Sequence, residues 1–191
     1  LARIRRPAGS TRVPLHTHFA ALGRAPAMRA VAEALRDWLA EALQGTEWAR
    51  LPILSAAGPF RAGGRPGPTH FTDIPAGPLL ARHVDEIYPF ANELCALEVA
   101  GDEVRRWLAR AGAVFAQVAP GALDAPLLAP DAPCYMIEMI DGLDVEFDLS
   151  APPDSPARVR RVTHEGREVA PETRFVLATN THRRAADGLG R

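Results

Sequence analysis

The chain of 191 residues contains no lysine, so all 22 of its basic residues are arginine. That excludes Schiff-base chemistry and the phosphate-gripping lysine of a P-loop. Cysteine is scarce, with only Cys95 and Cys134. Neither belongs to a Cys-x-x-Cys pair, which argues against a thiolate zinc site, and two thiols set no disulfide framework. They would suit one bridge in an oxidising compartment, but read better as two buried thiols. No apolar run reaches the ~18 residues that a membrane-spanning helix needs, so no membrane partner is expected. Charge of one sign is also lacking. The formal net charge is −1, without the basic surplus that grips a nucleic-acid polymer by its phosphates. Small anions stay within reach of a few local arginines. The first 13 residues carry arginines but no apolar core of a signal peptide. Leu rather than Met opens the sequence, and we read it as a piece of a longer protein.

What is present is the composition of a globular domain, 47% hydrophobic and 24% charged. Residues 1–25 are polar and punctuated by Pro and Gly, and read as loop. Pro26 opens a helical pattern in which Met28, Val31, Leu35, Trp38, Leu39 and Leu43 recur on one face until Gly45. Leu51–Ala57 reads as a buried strand. Residues 58–68 hold four glycines and three prolines, too many for a regular element, and carry Arg61 and Arg65. Asp73 before Ile74-Pro75 predicts an N-cap and a short helix to about Arg82. Glu93–Val99 reads as a strand. Gly101-Asp102 starts a second helix with Val104, Trp107, Leu108, Ala111 and Phe115 on one face. Residues 118–134 form a surface excursion. Met136–Ile140 and Val145–Leu149 around Asp141-Gly142 predict a hairpin, and Arg158–Thr163 and Arg174–Thr179 are two further strands. The pattern predicts an α+β fold, one compact domain with a mixed β-sheet and packed helices.

Chemistry is hard to find in single motifs. There is no Gly-x-Ser-x-Gly elbow and no Gly-x-Gly-x-x-Gly after a strand. His16-Thr17-His18 has metal-ligand spacing, but a catalytic centre needs three or more protein ligands, and the other histidines are scattered singly. The pair therefore reads as surface or packing residues. The glycine-rich segment is more suggestive, because glycine lets a backbone approach a ligand and arginine offers a planar fork of donors. Taken alone, Arg61 and Arg65 read as solvated loop charges. Tyr88-Pro89-Phe90-Ala91-Asn92 and Ala178-Thr179-Asn180-Thr181-His182-Arg183 each put a ring at the end of an element, where loops carry function. By themselves Phe90 reads as a core aromatic and His182 as a surface histidine.

Their order along the chain changes this weighting. Thr46-Glu47-Trp48-Ala49, Leu51-Pro52-Ile53-Leu54-Ser55-Ala56-Ala57, Phe60-Arg61-Ala62-Gly63-Gly64-Arg65 and Thr72-Asp73-Ile74-Pro75-Ala76-Gly77-Pro78 are followed by Ile140-Asp141-Gly142 and Ala178-Thr179-Asn180. This succession resembles the C-terminal, nucleotide-binding domain of bacterial periplasmic 2',3'-cyclic-nucleotide 2'-phosphodiesterase/3'-nucleotidases, a branch of the 5'-nucleotidase family. It covers roughly Val13 to Gly188, so 1–12 would be residual linker and 13–191 the substrate-binding domain. The Phe-Arg-Ala-Gly-Gly-Arg and Thr-Asp-Ile-Pro-Ala-Gly motifs favour this branch over the 5'-nucleotidase and UDP-sugar hydrolase branch. A non-catalytic nucleotide-binding module is the reading of another class.

The resemblance implies a division of labour. An N-terminal metallophosphoesterase domain, absent from this chain, would hold two divalent metal ions and generate the attacking hydroxide. The family's metal-ligand motifs, Asp-x-His, Gly-Asn-His-Asp/Glu and Gly-His-x-His, do not occur here. No cofactor, metal ligand or catalytic residue is therefore expected in this chain, and the fragment alone is expected to be inactive. Its partners would be 2',3'-cyclic and 3'-nucleotides and its own N-terminal domain, and the parent would be periplasmic. By position, Phe90 matches one stacking ring and Asn92 the Asn two residues on. His182 stands where the family usually has Tyr or Phe, a smaller ring whose charge depends on pH. Arg65 and Arg61 match basic positions of the glycine-rich loop.

Overall fold

A computed structural model describes residues 3–63, 66–153 and 155–187. Strands β1 (Pro7–Thr11) and β2 (Leu15–His16) precede helix α1 (Pro26–Ala42) and strand β3 (Ile53–Ala57). Next come β4 (Asp73–Ile74), β5 (Gly77–Leu80), α2 (Ala81–Ile87), β6 (Leu94–Ala100) and α3 (Gly101–Ala111). The last third holds β7 (Met139–Asp141), β8 (Asp144–Phe147), β9 (Val159–His164), β10 (Arg167–Glu168), β11 (Arg174–Asn180) and α4 (Thr181–Asp187).

The main sheet has the order β6-β11-β3-β7. β11 runs parallel to β3, whereas β6 and β7 pair antiparallel, so the sheet is mixed as expected. Alternation along the strands sorts side chains to two faces. Val176 and Ala178 of β11 join Ala57 against Leu35, Leu39 and Leu43 of the α1 segment. Phe175 and Leu177 join Leu54 and Ala56 against Val104, Trp107 and Leu108 of α3. With helices on both faces, β11 is buried from Phe175 to Asn180, which explains its near-continuous apolar sequence. Ser55 adds a polar tie, its hydroxyl donating to the Ala32 carbonyl at 2.8 Å. A smaller sheet, β10-β9-β8, lies beyond α3. It is fastened by the fully buried Arg158, whose guanidinium donates to the carbonyls of Phe115 (2.7 Å), Ala116 (3.0 Å), Gly112 and Ala151.

Four local expectations are corrected. Residues 1–25 are not all loop, because β1 pairs with β5 and β2 with β4. Asp73 is no N-cap: it lies in β4, and the helix begins only at Ala81, where the Leu80 N–H donates to His83 Nδ1 at 3.2 Å. Of the residues read as a helix start, Pro75 and Ala76 lie between β4 and β5, and Gly77 opens β5. The α3 pattern stops at Ala111, and Phe115 follows a 3-10 turn to pack against Phe147, ring centroids 5.5 Å apart. The Asp141-Gly142 turn exists, but β7 and β8 do not pair with each other. β7 completes the main sheet against β3, and β8 joins β9. Gly142 makes that switch with φ +95°, and a Cβ there would lie 2.8 Å from Leu54 Cδ2. A turn signal specifies the reversal of the chain but not which strand each arm finds.

Candidate functional site

The antiparallel register of β6 and β11 sets Leu94 opposite Asn180. The Thr181 N–H continues the ladder outward, donating to the Glu93 carbonyl at 3.0 Å. This brings the segment before β6, with Phe90 and Asn92, and the segment after β11, with His182, to one end of the main sheet. Phe90 is 54% exposed, far from the core aromatic that its sequence alone suggested. It meets Phe60 edge to face, centroids 5.2 Å apart and planes at 90°. Phe60 in turn touches the His70 ring at 6.1 Å. The glycine-rich segment thus reaches the Phe90 ring through Phe60. His182 is exposed in the first turn of α4.

Tyr88, at the end of α2, ties the two segments together. Its phenol oxygen accepts hydrogen bonds from Asn92 Nδ2 at 3.1 Å and from Asn180 Nδ2 at 2.7 Å. The Oδ1 of Asn180 accepts the Arg183 backbone N–H at 2.9 Å, so one side chain caps α4 and holds Tyr88. Arg183 is fastened further. Its guanidinium pairs with the Glu138 carboxylate and donates to the Tyr135 carbonyl at 3.1 Å. The pair is well covered, at 13% and 5% side-chain exposure. Gly58 lies flat beneath it, and a Cβ there would fall 2.1 Å from Arg183 Nη2.

Of the sequence candidates, Phe90, Asn92 and His182 therefore gather at this sheet end. Arg61 follows Phe60 directly. It is half-buried, its carbonyl accepts the Thr17 hydroxyl, and its buried Nε has no hydrogen-bond acceptor among the described residues. Arg65 lies outside the described residues. Sequence reasoning passed over Tyr88, Asn180, Phe60 and Arg183. All but Phe60 lie in the two end-of-element clusters, whose rings drew attention away from the polar atoms beside them.

The Cys95 thiol, opposite Thr179 in the ladder, is pushed above its ordinary value by burial, and Arg184 pulls the other way. Both cysteines are free thiols; Cys134 is buried and Cys95 half-buried. His16 and His18 stack at 5.0 Å, and His18 Nε2 approaches Asp73 Oδ2 to 3.9 Å. No group of three or more His, Cys, Asp or Glu among the described residues could hold a metal ion. These residues do not fit a two-metal centre. A cleft of about 1350 Å³ lies elsewhere, between the β2–α1 region and β7–β8, and none of Phe90, Asn92, Arg61 and His182 lines it. The sheet end combines an exposed aromatic face with three mutually hydrogen-bonded polar side chains, Tyr88, Asn92 and Asn180.

A model of the 5'-nucleotidase C-terminal domain matches residues 17–190. The chain belongs to that family. Its fold agrees: it superposes on a 5'-nucleotidase precursor from Thermus thermophilus with a TM-score of 0.69 at 19% identity, covering 98% of this chain and 32% of that one. The NAD nucleotidase of Haemophilus influenzae gives a TM-score of 0.60 at 19% identity, covering 98% and 30%. Among curated proteins, the trifunctional nucleotide phosphoesterase YfkN of Bacillus subtilis (strain 168) is 30% identical, over 98% of this chain and 14% of its own length. The 2',3'-cyclic-nucleotide 2'-phosphodiesterase/3'-nucleotidase of Haemophilus influenzae is also 30% identical, over 94% of this chain and 30% of its own length. The chain thus spans less than a third of the curated relatives that it matches. By name, these curated relatives are a nucleotide phosphoesterase and a cyclic-nucleotide phosphodiesterase/nucleotidase.

Proposed function

We propose that this chain is the nucleotide-binding specificity domain of a metal-dependent hydrolase of 2',3'-cyclic nucleotides and 3'-nucleotides, with the base stacked between Phe90 and His182. The observation that carries the reading is the Tyr88 bridge, which joins Asn92 and Asn180 and so draws the two ring-bearing segments to one sheet end. The half-exposed Phe90 ring, backed by Phe60, has the form of a stacking platform. Each base–aromatic stack is worth about 1–3 kcal/mol and tolerates any base, which suits an enzyme that accepts several nucleotides. Asn92 adds a directional hydrogen bond to the base edge. Arg61 and Arg65 supply donors to ribose or phosphate. The metals and the attacking hydroxide belong to an N-terminal metallophosphoesterase domain of an exported parent, and a hinge delivers the bound nucleotide to them. The chain by itself turns over no phosphoester.

The test is calorimetric titration of the chain with adenosine and with 3'-AMP, beside a Phe90→Ala variant. Saturable binding that the variant loses supports the stack. Binding that Phe90→Ala leaves unchanged refutes it. In the same series His182→Tyr should tighten binding, because the phenol ring offers more stacking area than imidazole.

A further inference from the structure

We propose that the outer edge of β6 is a self-pairing surface, to which a second copy of this chain adds its own β6 antiparallel about a two-fold axis at Ala96, so that the main sheets of two chains run on as one. This dimer does not depend on the nucleotide-binding reading.

β6 is an edge strand, with β11 on its inner side. In an antiparallel ladder, pairs that exchange N–H···O bonds alternate with pairs that do not. The Thr181 N–H donates to the Glu93 carbonyl at 3.0 Å, so Cys95, Leu97 and Val99 bond inward to β11, while Leu94, Ala96, Glu98 and Ala100 direct their backbone groups outward. The Ala100 N–H confirms the phase, leaving the ladder to donate to Glu103 Oε2 at 2.8 Å. The outward groups of Leu94, Ala96 and Glu98 have no partner among the described residues. Their side chains share the face of Val176 and Ala178. On that face α1 lies over β3, β11 and β7 but leaves β6 open, and Leu94, Ala96 and Glu98 are all exposed. The usual guards of an edge are missing: β6 has no proline, the chain has no lysine, and the seven residues pair with β11 without a bulge. The charge of Glu98 is already met by Arg174, and its Oε2 accepts the exposed Trp48 indole N–H at 2.9 Å. A net charge of −1 sets up little repulsion between two copies.

The occupant follows from the two ends of this strip. Leu94 is an exposed apolar side chain at one end, and Trp48 another, held by Glu98 at the other. Antiparallel pairing about Ala96 sets Leu94 of each chain opposite Glu98 of the other, and so beside its Trp48. The two-fold axis makes this contact twice. Ala96 faces Ala96 at the axis, where a methyl lets the backbones close to ladder spacing of about 5 Å. Each end of β6 thus supplies what the other end leaves uncovered, which selects a second copy over a foreign strand.

Sedimentation equilibrium of the 191-residue chain, from low to high micromolar loading, should show a monomer–dimer equilibrium. Ala96→Lys sets two ammonium groups against each other at the axis and should weaken dimerisation about ten-fold or more. Its melting temperature should stay near wild type at concentrations where both are monomeric, because residue 96 is exposed and its N–H lies outside the β11 ladder. Cross-linking reads the register and serves equally if Ala96→Lys folds poorly. In a Cys95→Ala background, Ala96→Cys should give a covalent dimer under mild oxidation, since paired Cα atoms about 5.5 Å apart suit a disulfide. Leu94→Cys, which faces Glu98 of the other copy, should not. A chain that stays monomeric throughout, a dimer that folded Ala96→Lys leaves intact, or cross-linking of Leu94→Cys in preference to Ala96→Cys overturns the proposal. None of these outcomes bears on the nucleotide-binding reading.

Discussion

Gly58→Ala should destabilise the domain by about 2–4 kcal/mol, although alanine is normally the safer residue in a folded backbone. A Cβ at position 58 would lie 2.1 Å from Arg183 Nη2, 2.9 Å from Arg183 Cζ and 2.8 Å from the Ile137 carbonyl oxygen. The carbonyl is backbone, held between the turn at Cys134–Met136 and β7, and cannot step aside cheaply. The guanidinium ends a flexible side chain and can move, but only by leaving Glu138 and the Tyr135 carbonyl. Glu138 is 5% exposed, so its carboxylate would stay largely desolvated after losing this cation. Separating a buried pair costs about 3–5 kcal/mol. The smaller entropy of alanine in the unfolded chain returns about 0.4–1 kcal/mol. Urea denaturation with an unchanged slope measures the difference. Arg183→Ala in the same background is the control: with the guanidinium gone, Gly58→Ala should cost much less than it does in the wild type, giving a coupling of about 1–3 kcal/mol. A Gly58→Ala chain within 0.5 kcal/mol of wild type, near the scatter of ordinary surface changes at about ±0.5 kcal/mol, would refute the packing argument. So would strict additivity of the two substitutions.

Arg158→Met should cost about 3–5 kcal/mol, because it strips the donors from four carbonyls gathered around a fully buried guanidinium; guanidinium chloride titration would show an unchanged midpoint if the arginine were dispensable. Acid should weaken the fold through Glu98, whose carboxyl is held below its ordinary value by hydrogen bonds from Trp48 and Arg174. Since the folded state binds its proton less readily than the unfolded chain, the contribution is complete above the ordinary carboxylate range, near pH ~4. It is lost as pH falls through the lower folded value. Glu98→Gln should flatten that part of a urea-midpoint profile, and an identical acid limb in variant and wild type would count against the assignment.

Much of the architecture is visible in the primary structure, for reasons that can be named. Met28, Leu35, Leu39 and Leu43 are buried as their helical spacing predicts, because burial of one stripe against a sheet is what produces that spacing. Trp38, placed on the same face, is 36% exposed, since a stripe has edges that periodicity alone does not locate. β3, β6, β9 and β11 stand within a residue or two of where apolar runs put them. The failures occurred where the sequence signal was local and the answer was not. Asp73-Ile74-Pro75 carries every mark of a helix start, yet β2 needs a partner and takes Asp73 and Ile74. Around Asp141-Gly142 two good strand signals flank a good turn, yet each strand pairs with a more distant one.

The site divides along the same line. By themselves Phe90 read as a core aromatic and His182 as a surface histidine; it was the resemblance carried by the succession of motifs that singled out Phe90, Asn92 and His182 and implied a nucleotide ligand. That Phe90 and His182, ninety-odd positions apart, share one sheet end follows from the β6–β11 register, which depends on which edge of β11 was left open once β3 had taken the other. That Tyr88 rather than either ring joins the two segments depends on hydrogen bonds at 2.7 and 3.1 Å. Hydrogen bonds are short-ranged and directional, so only the folded chain can decide them.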